Sequence, residues 1–137
     1  MKLFIATMVL SLVVTGFPCQ AQTAPLIALR DRVQRYYGYF SEQRYDLMWR
    51  MSSRSLREQN GNDEKGYVQQ ARQYGFGKVR AKIIKIDLDG DRAKVRVKIT
   101  VWSKPDRKWL TEVDDQTWVL EKGRWVFEDH RVAEGVT

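Results

Sequence analysis

KVRAKIIKIDLDGDRAKVRVKITV, residues 78–101, is the stretch that decides the architecture. Val79, Ala81 and Ile83 alternate with Lys78, Arg80 and Lys82, and then the phase slips so that Ile84, Ile86 and Leu88 become the apolar set. Alternation with period two is the pattern of a strand with one buried face, and a slip inside it predicts a β-bulge, which bends a sheet. Asp89-Gly90-Asp91 supplies the hairpin turn, Gly90 being free to take a positive φ. Ala93, Val95, Val97, Ile99 and Val101 then face one way, against Lys94, Arg96, Lys98 and Thr100.

Toward the C-terminus the same period continues. Lys104-Pro105-Asp106-Arg107 reads as a turn, Trp109 to Glu121 as a third strand, Lys122-Gly123 as a tight turn and Arg124 to about His130 as a fourth strand. Toward the N-terminus the period changes to that of helices. Thr23 is a candidate cap, Pro25 sits in a first turn, and Leu26, Leu29, Val33, Tyr37 and Phe40 recur every three or four residues. Ser41-Glu42-Gln43 breaks this helix, and a second runs from Arg44 to Met51 with Tyr45, Met48 and Trp49. Ser52 to Gly61 has the make-up of a loop; Asn62 or Asp63 then caps a third helix, which carries Tyr67, Ala71 and Tyr74 and ends at Gly75. Helices followed only by meandering strands predict an α+β roll: three N-terminal helices packed on a strongly curved antiparallel sheet of about four strands.

The first twenty-one residues read as a secretory signal. Lys2 gives a positive start, Leu3 to Val14 an apolar run, and Cys19 and Ala21 small residues at the positions a signal peptidase reads, which predicts cleavage after Ala21. Lipid anchoring at Cys19 is disfavoured, because Phe17 and Pro18 occupy positions where lipoprotein signals carry small residues. No later stretch approaches the ~20 apolar residues of a membrane helix, so no integral membrane span is expected. The expected product is one domain, residues 22–137, secreted or periplasmic. With Cys19 removed it has no cysteine, which excludes disulfides, thiol catalysis and thiolate metal sites. The formal net charge of the whole chain is +7, and basic residues crowd the two strands quoted above.

The helix order, the strand pair joined by Asp89-Gly90-Asp91 and the closing run Asp115-Gln116-Thr117-Trp118-Val119-Leu120-Glu121-Lys122-Gly123-Arg124-Trp125-Val126-Phe127 resemble the nuclear transport factor 2-like, or SnoaL-like, superfamily, in particular its secreted bacterial members of unknown function. The resemblance covers about residues 24 to 132. It implies a cone, with the sheet wrapped around the long first helix, an open mouth and frequent homodimerisation through the sheet. It implies no chemistry, since the superfamily holds isomerases, cyclases, dehydratases and non-catalytic binding modules.

Site candidates follow from what such a cone would need. An isomerase or dehydratase requires a carboxylate base and a hydroxyl electrophile, for which Asp46 or Asp115 and Tyr36 or Tyr37 are the candidates; the same residues also read as helix packing and solvated acids. Asp115 shares a phase with Val113, Thr117 and Val119, whereas Leu110, Glu112, Asp114, Gln116, Trp118 and Leu120 hold the other, and pattern alone leaves the inward phase open. His130, the only histidine, reads either as a general base oriented by a carboxylate or as an exposed strand end. Tyr37, Trp49, Val97, Asp115 and Trp118 are the expected pocket residues. No spacing of metal ligands or cofactor motif is present, so no metal and no cofactor are expected.

The basic strands read as a solvated face or as a contact for an anionic envelope component or protein partner; outside the cytoplasm no nucleic acid is expected. Trp102 and Trp109, flanking the basic turn, read as a cross-strand brace or as an anchor. The leading functional reading is a non-catalytic module that binds a small apolar ligand or an envelope partner in or on its cone. An isomerase- or dehydratase-type enzyme is the alternative.

Overall fold

Residues 19–134 are described by the computed structural model. The leader expected over residues 1–21 lies outside them as far as position 18. Four helices, α1 (Cys19–Ser41), α2 (Tyr45–Arg50), α3 (Arg54–Gln59) and α4 (Glu64–Gln73), precede four strands, β1 (Phe76–Asp89), β2 (Arg92–Ser103), β3 (Lys108–Glu121) and β4 (Arg124–Val132). The strands form one antiparallel sheet in the order β1-β2-β3-β4, each paired with its neighbour in sequence. The result is an α+β roll, with helices on one face of a four-stranded sheet.

Two helical details differ from the expectation. The region read as a loop contains α3, started by Ser53, whose Oγ accepts from Leu56 N at 3.0 Å. The short stretch buries none of its own residues, so it lacks the apolar stripe by which a helix is recognised. Pro25 lies inside α1 rather than at its start. The Asp63 cap of α4 is as expected, its carboxylate accepting from Gly66 N at 2.9 Å, and Gly75 closes that segment with a positive φ of 64°.

The phase slip in β1 is a bulge, since the pairing to β2 jumps between Ile83 and Lys85 and leaves Ile84 unpaired. Two further irregularities lie between Phe76 and Val79 of β1 and between Thr117 and Trp118 where β3 meets β4. Each adds local twist, which curls the sheet toward the helices. Across that inner face α1 runs diagonally: Arg32 Nε donates to the Trp125 carbonyl at 2.9 Å near one end, and Ser41 Oγ accepts from Val79 N at 3.1 Å near the other.

Leu29, Val33, Tyr36 and Tyr37 of α1 fill the curl against Ala93, Val95 and Val97 of β2, Trp118 of β3 and Phe127 of β4. Each large apolar side chain so buried contributes about 1.5–3 kcal/mol. The α2–α3 junction closes the β4 side. Ser53 N donates to the Phe127 carbonyl at 2.7 Å and Phe127 N to the Met51 carbonyl at 2.8 Å, so part of the β4 edge is covered.

Candidate functional site at the inner face of the third strand

The inward phase of β3 follows from its pairing with β2. Ala93 faces Trp118, Val95 faces Gln116 and Val97 faces Asp114, so the buried β2 residues and these three share one face. Asp115 therefore points the other way, and the expectation that it lines the same pocket as Tyr37 is corrected: one position along a strand reverses the side-chain direction. The outward Asp115 carboxylate accepts from Arg96 Nε at 2.7 Å and Nη2 at 3.0 Å, and this bond holds it below the usual carboxylate range.

Asp114 takes the inward place. Its side chain is only 7% exposed, and Oδ2 lies 3.4 Å from His130 Nδ1. Oδ1 is buried and has no hydrogen-bond partner among the described residues. His130 sits opposite Gln116 on β4, with its side chain 57% exposed. Interaction with the Asp114 carboxylate raises the imidazole pKa above its ordinary value, against the opposing effect of burial, and Asp129 and Glu112 add to the rise.

Beside the acid lies a chain of polar side chains. Trp118 Nε1 donates to Gln116 Oε1 at 3.0 Å, and Gln116 Nε2 donates to the Tyr37 hydroxyl. Burial pushes the Tyr37 hydroxyl well up, with Asp114 and Glu112 adding, although the Gln116 bond opposes the shift. Tyr36 is pushed up by burial and by Tyr67. Both phenols remain protonated donors over the accessible pH range. Tyr36 also meets Trp118 edge-on at 5.6 Å and stacks on Phe127 at 5.1 Å, so its ring is core packing.

The remaining candidates lie elsewhere. Asp46 is on the exposed side of α2, bound to Arg44 at 3.2 Å, and that hydrogen bond lowers its pKa. It shares no face with Tyr36 or Tyr37. Trp49 packs on Tyr67 at 5.1 Å, between α2 and α4. Val97 and Trp118 are fully buried in the inner core. The structure thus brings together Tyr37, Val97, Trp118 and His130, and adds Asp114 and Gln116, which sequence reasoning did not select.

Toward the end of the sheet beyond Asp114, the inward residues Ile99, Val101 and Leu110 are only partly buried. Glu112, exposed, shares this inward phase opposite Ile99, so the surface running from the acid to solvent is apolar along β2 and carries a second carboxylate on β3. Among the described residues no group of three or more His, Cys, Asp or Glu side chains is placed to hold a metal ion. No described helix is long and apolar enough to cross a membrane.

The sequence matches no family model and no curated protein. Its fold, however, is shared with solved structures. A Mycobacterium tuberculosis protein of unknown function superposes with a TM-score of 0.65 at 13% identity, over 85% of this chain and 75% of that one. A nuclear transport factor 2-like protein of unknown function from Burkholderia pseudomallei does so with a TM-score of 0.53 at 16% identity, over 76% and 89%. TerC, co-crystallised with polyporic acid, gives 0.53 at 12% identity, over 76% and 90%. At such identities the likeness is one of fold: the chain shares its α+β roll with these structures, one of them described as nuclear transport factor 2-like.

Proposed function

We propose that the protein is a secreted, SnoaL-like small-molecule binder whose ligand lies at the mouth of the roll, with an apolar body on Ile99, Val101 and Leu110 and a hydrogen-bond donor on Asp114. One observation carries the reading: Asp114 Oδ1 is buried without a partner. A buried acceptor left unsatisfied costs about 1–3 kcal/mol, a penalty that a ligand hydroxyl or N–H donating to it would remove. The half-buried apolar residues beside it supply the area that a small ligand needs. Secretion rests on the Lys2, Leu3–Val14 and Ala21 pattern.

A second reading is favoured by the Asp114–His130 contact. An imidazole held by a carboxylate is a proton acceptor poised near neutral pH, and the protonated Tyr37 could donate to a developing oxyanion on the same face. That pair would suit an isomerase or dehydratase, with His130 as the base and Asp114 orienting it, in place of the carboxylate base first assigned to Asp46 or Asp115.

Native mass spectrometry of protein secreted by its own host tests binding. A retained small molecule is expected in the wild type and absent from Asp114→Leu, which removes the acceptor oxygen at similar volume. Wild type that carries none, or a variant that keeps it, would remove Asp114 from the site. Turnover of a ligand identified in this way, lost in His130→Gln, would select the enzymatic reading.

A further inference from the structure

The outer face of the sheet carries a charge pattern that the mouth of the roll does not explain. Its pairing register sorts the outward side chains into rows that run across the strands. Lys82 of β1 stands directly opposite Lys98 of β2, both exposed, and the next outward residue of β1 is Arg80. Like charges facing each other across a strand pair are destabilising. Among the described residues neither lysine has a carboxylate within salt-bridge distance, and Arg80 lies over the Trp109 ring at 4.9 Å rather than beside an acid.

Two further rows follow. Lys85, Arg96, Asp115 and Arg131 form one across all four strands. Asp87, Lys94, Thr117 and Asp129 form the next. These two rows line a recess of about 410 Å³. Within it Arg96 is bound to Asp115 and Lys85 to Asp87 at 3.4 Å, and Lys94 Nζ donates to Thr117 Oγ1 at 2.8 Å. Arg131 has no carboxylate within salt-bridge distance among the described residues. Among the described residues the Asp129 carboxylate accepts only from the backbone N of His130.

We propose that this recess and the cationic row beside it bind an acidic polysaccharide. Anionic groups on the polymer would relieve the repulsion between Lys82 and Lys98 and pair with Arg131. Asp87 and Asp129 can only accept, so they call for donors, and sugar hydroxyls supply them. A polymer of bare phosphates has anions but no such donors. Single-stranded nucleic acid needs free aromatic faces for its bases, yet no aromatic side chain lines the recess, and the Trp109 ring is engaged by Arg80 and by Trp102 at 5.5 Å. A second copy of the chain would bring its own unneutralised lysines to the same face.

The test is titration of the full chain with fluorescent polygalacturonate oligomers at low and moderate salt. Inorganic polyphosphate, oligo-dT and vesicles containing phosphatidylglycerol serve as parallel probes. Saturable binding to the polyuronate is expected, and the Lys82→Gln/Lys98→Gln double variant should weaken it about tenfold with a shallower salt dependence. Asp129→Ala adds net positive charge, so a purely electrostatic surface would bind the polyuronate more tightly in that variant. Recognition of hydroxyls predicts weaker polyuronate binding with polyphosphate binding maintained or strengthened. Asp114→Asn should leave polyuronate binding unchanged, which separates this site from the inner one. No polyuronate binding, a preference for polyphosphate, oligo-dT or vesicles, or tighter polyuronate binding by Asp129→Ala would each overturn the proposal.

Discussion

Replacing Asp114 with Asn should make the protein more stable at high pH and less so as the pH falls. The carboxylate is 7% exposed and one of its oxygens has no partner. Among the described residues its one salt-bridge partner, His130, compensates it only while the imidazole is protonated. Because the folded His130 pKa is raised, this contribution is complete below the unfolded imidazole value of about 6.5 and is lost as pH rises through the folded value. At pH 8 the wild type therefore buries an uncompensated charge. The isosteric amide removes it and can turn its NH2 toward the neutral Nδ1, for an expected gain of about 1–2 kcal/mol. At pH 5.5 the variant gives up the ion pair, and since His130 is 57% exposed this is a loss of less than about 1 kcal/mol. The net gain should shrink accordingly. Urea titrations at both pH values measure the difference, which at pH 8 corresponds to a Tm rise of roughly 4 °C per kcal/mol. Destabilisation at pH 8 by 1 kcal/mol or more would refute the reasoning, because it would mean that both carboxylate oxygens are satisfied in the folded state.

Other expectations follow from the same geometry. Trp118→Ala empties the centre of the core and leaves Gln116 Oε1 without its donor, so it should cost about 3–5 kcal/mol in chemical denaturation; a loss under 1 kcal/mol would show that the inner face is loosely packed. Asp115→Asn should leave the denaturation midpoint unchanged within error, since its Arg96 pair is solvent-exposed; a large loss would place Asp115 inside. His130→Gln should remove most of the decline in stability between pH 6 and pH 8, and an unchanged pH profile would show that the imidazole does not interact with Asp114. Gly90→Ala should cost about 1 kcal/mol or slightly more, because its φ is +61° while the space around it is open; a neutral substitution would indicate a different turn.

Much of the fold was legible because the relevant signals are local. The slip at Ile83-Ile84 marked the bulge, Asp89-Gly90-Asp91 and Lys122-Gly123 marked the hairpins, and Asp63 and Gly75 bounded α4. Trp102 and Trp109 are indeed cross-strand partners. The short α3 was missed because it has no buried stripe, although Ser53 ahead of it and Asn60-Gly61 behind it were usable end signals.

The inward acid was also within reach. Counting outward from the turn at Lys104 to Arg107 sets Ser103 against Lys108, and hence Val97 against Asp114. Judged along β3 alone, with acids in both phases, the choice between Asp114 and Asp115 stays open; it closes once the clean alternation of β2 is transferred across the pair. The outer recess is different in kind, since it joins residues from four strands. His130 was visible as a candidate, but its carboxylate partner is Asp114, across the strand pair, rather than its chain neighbours Asp129 and Glu128.

Because His130 is the only histidine in the chain, its ring signals in a proton NMR titration are unambiguous. In the wild type the titration should lie above the ordinary imidazole value; Asp114→Asn should bring it down, and Asp115→Asn should leave it where it was. A wild-type value at or below the ordinary one, or a downward shift caused by Asp115→Asn but not by Asp114→Asn, would contradict the strand register on which the inner site depends.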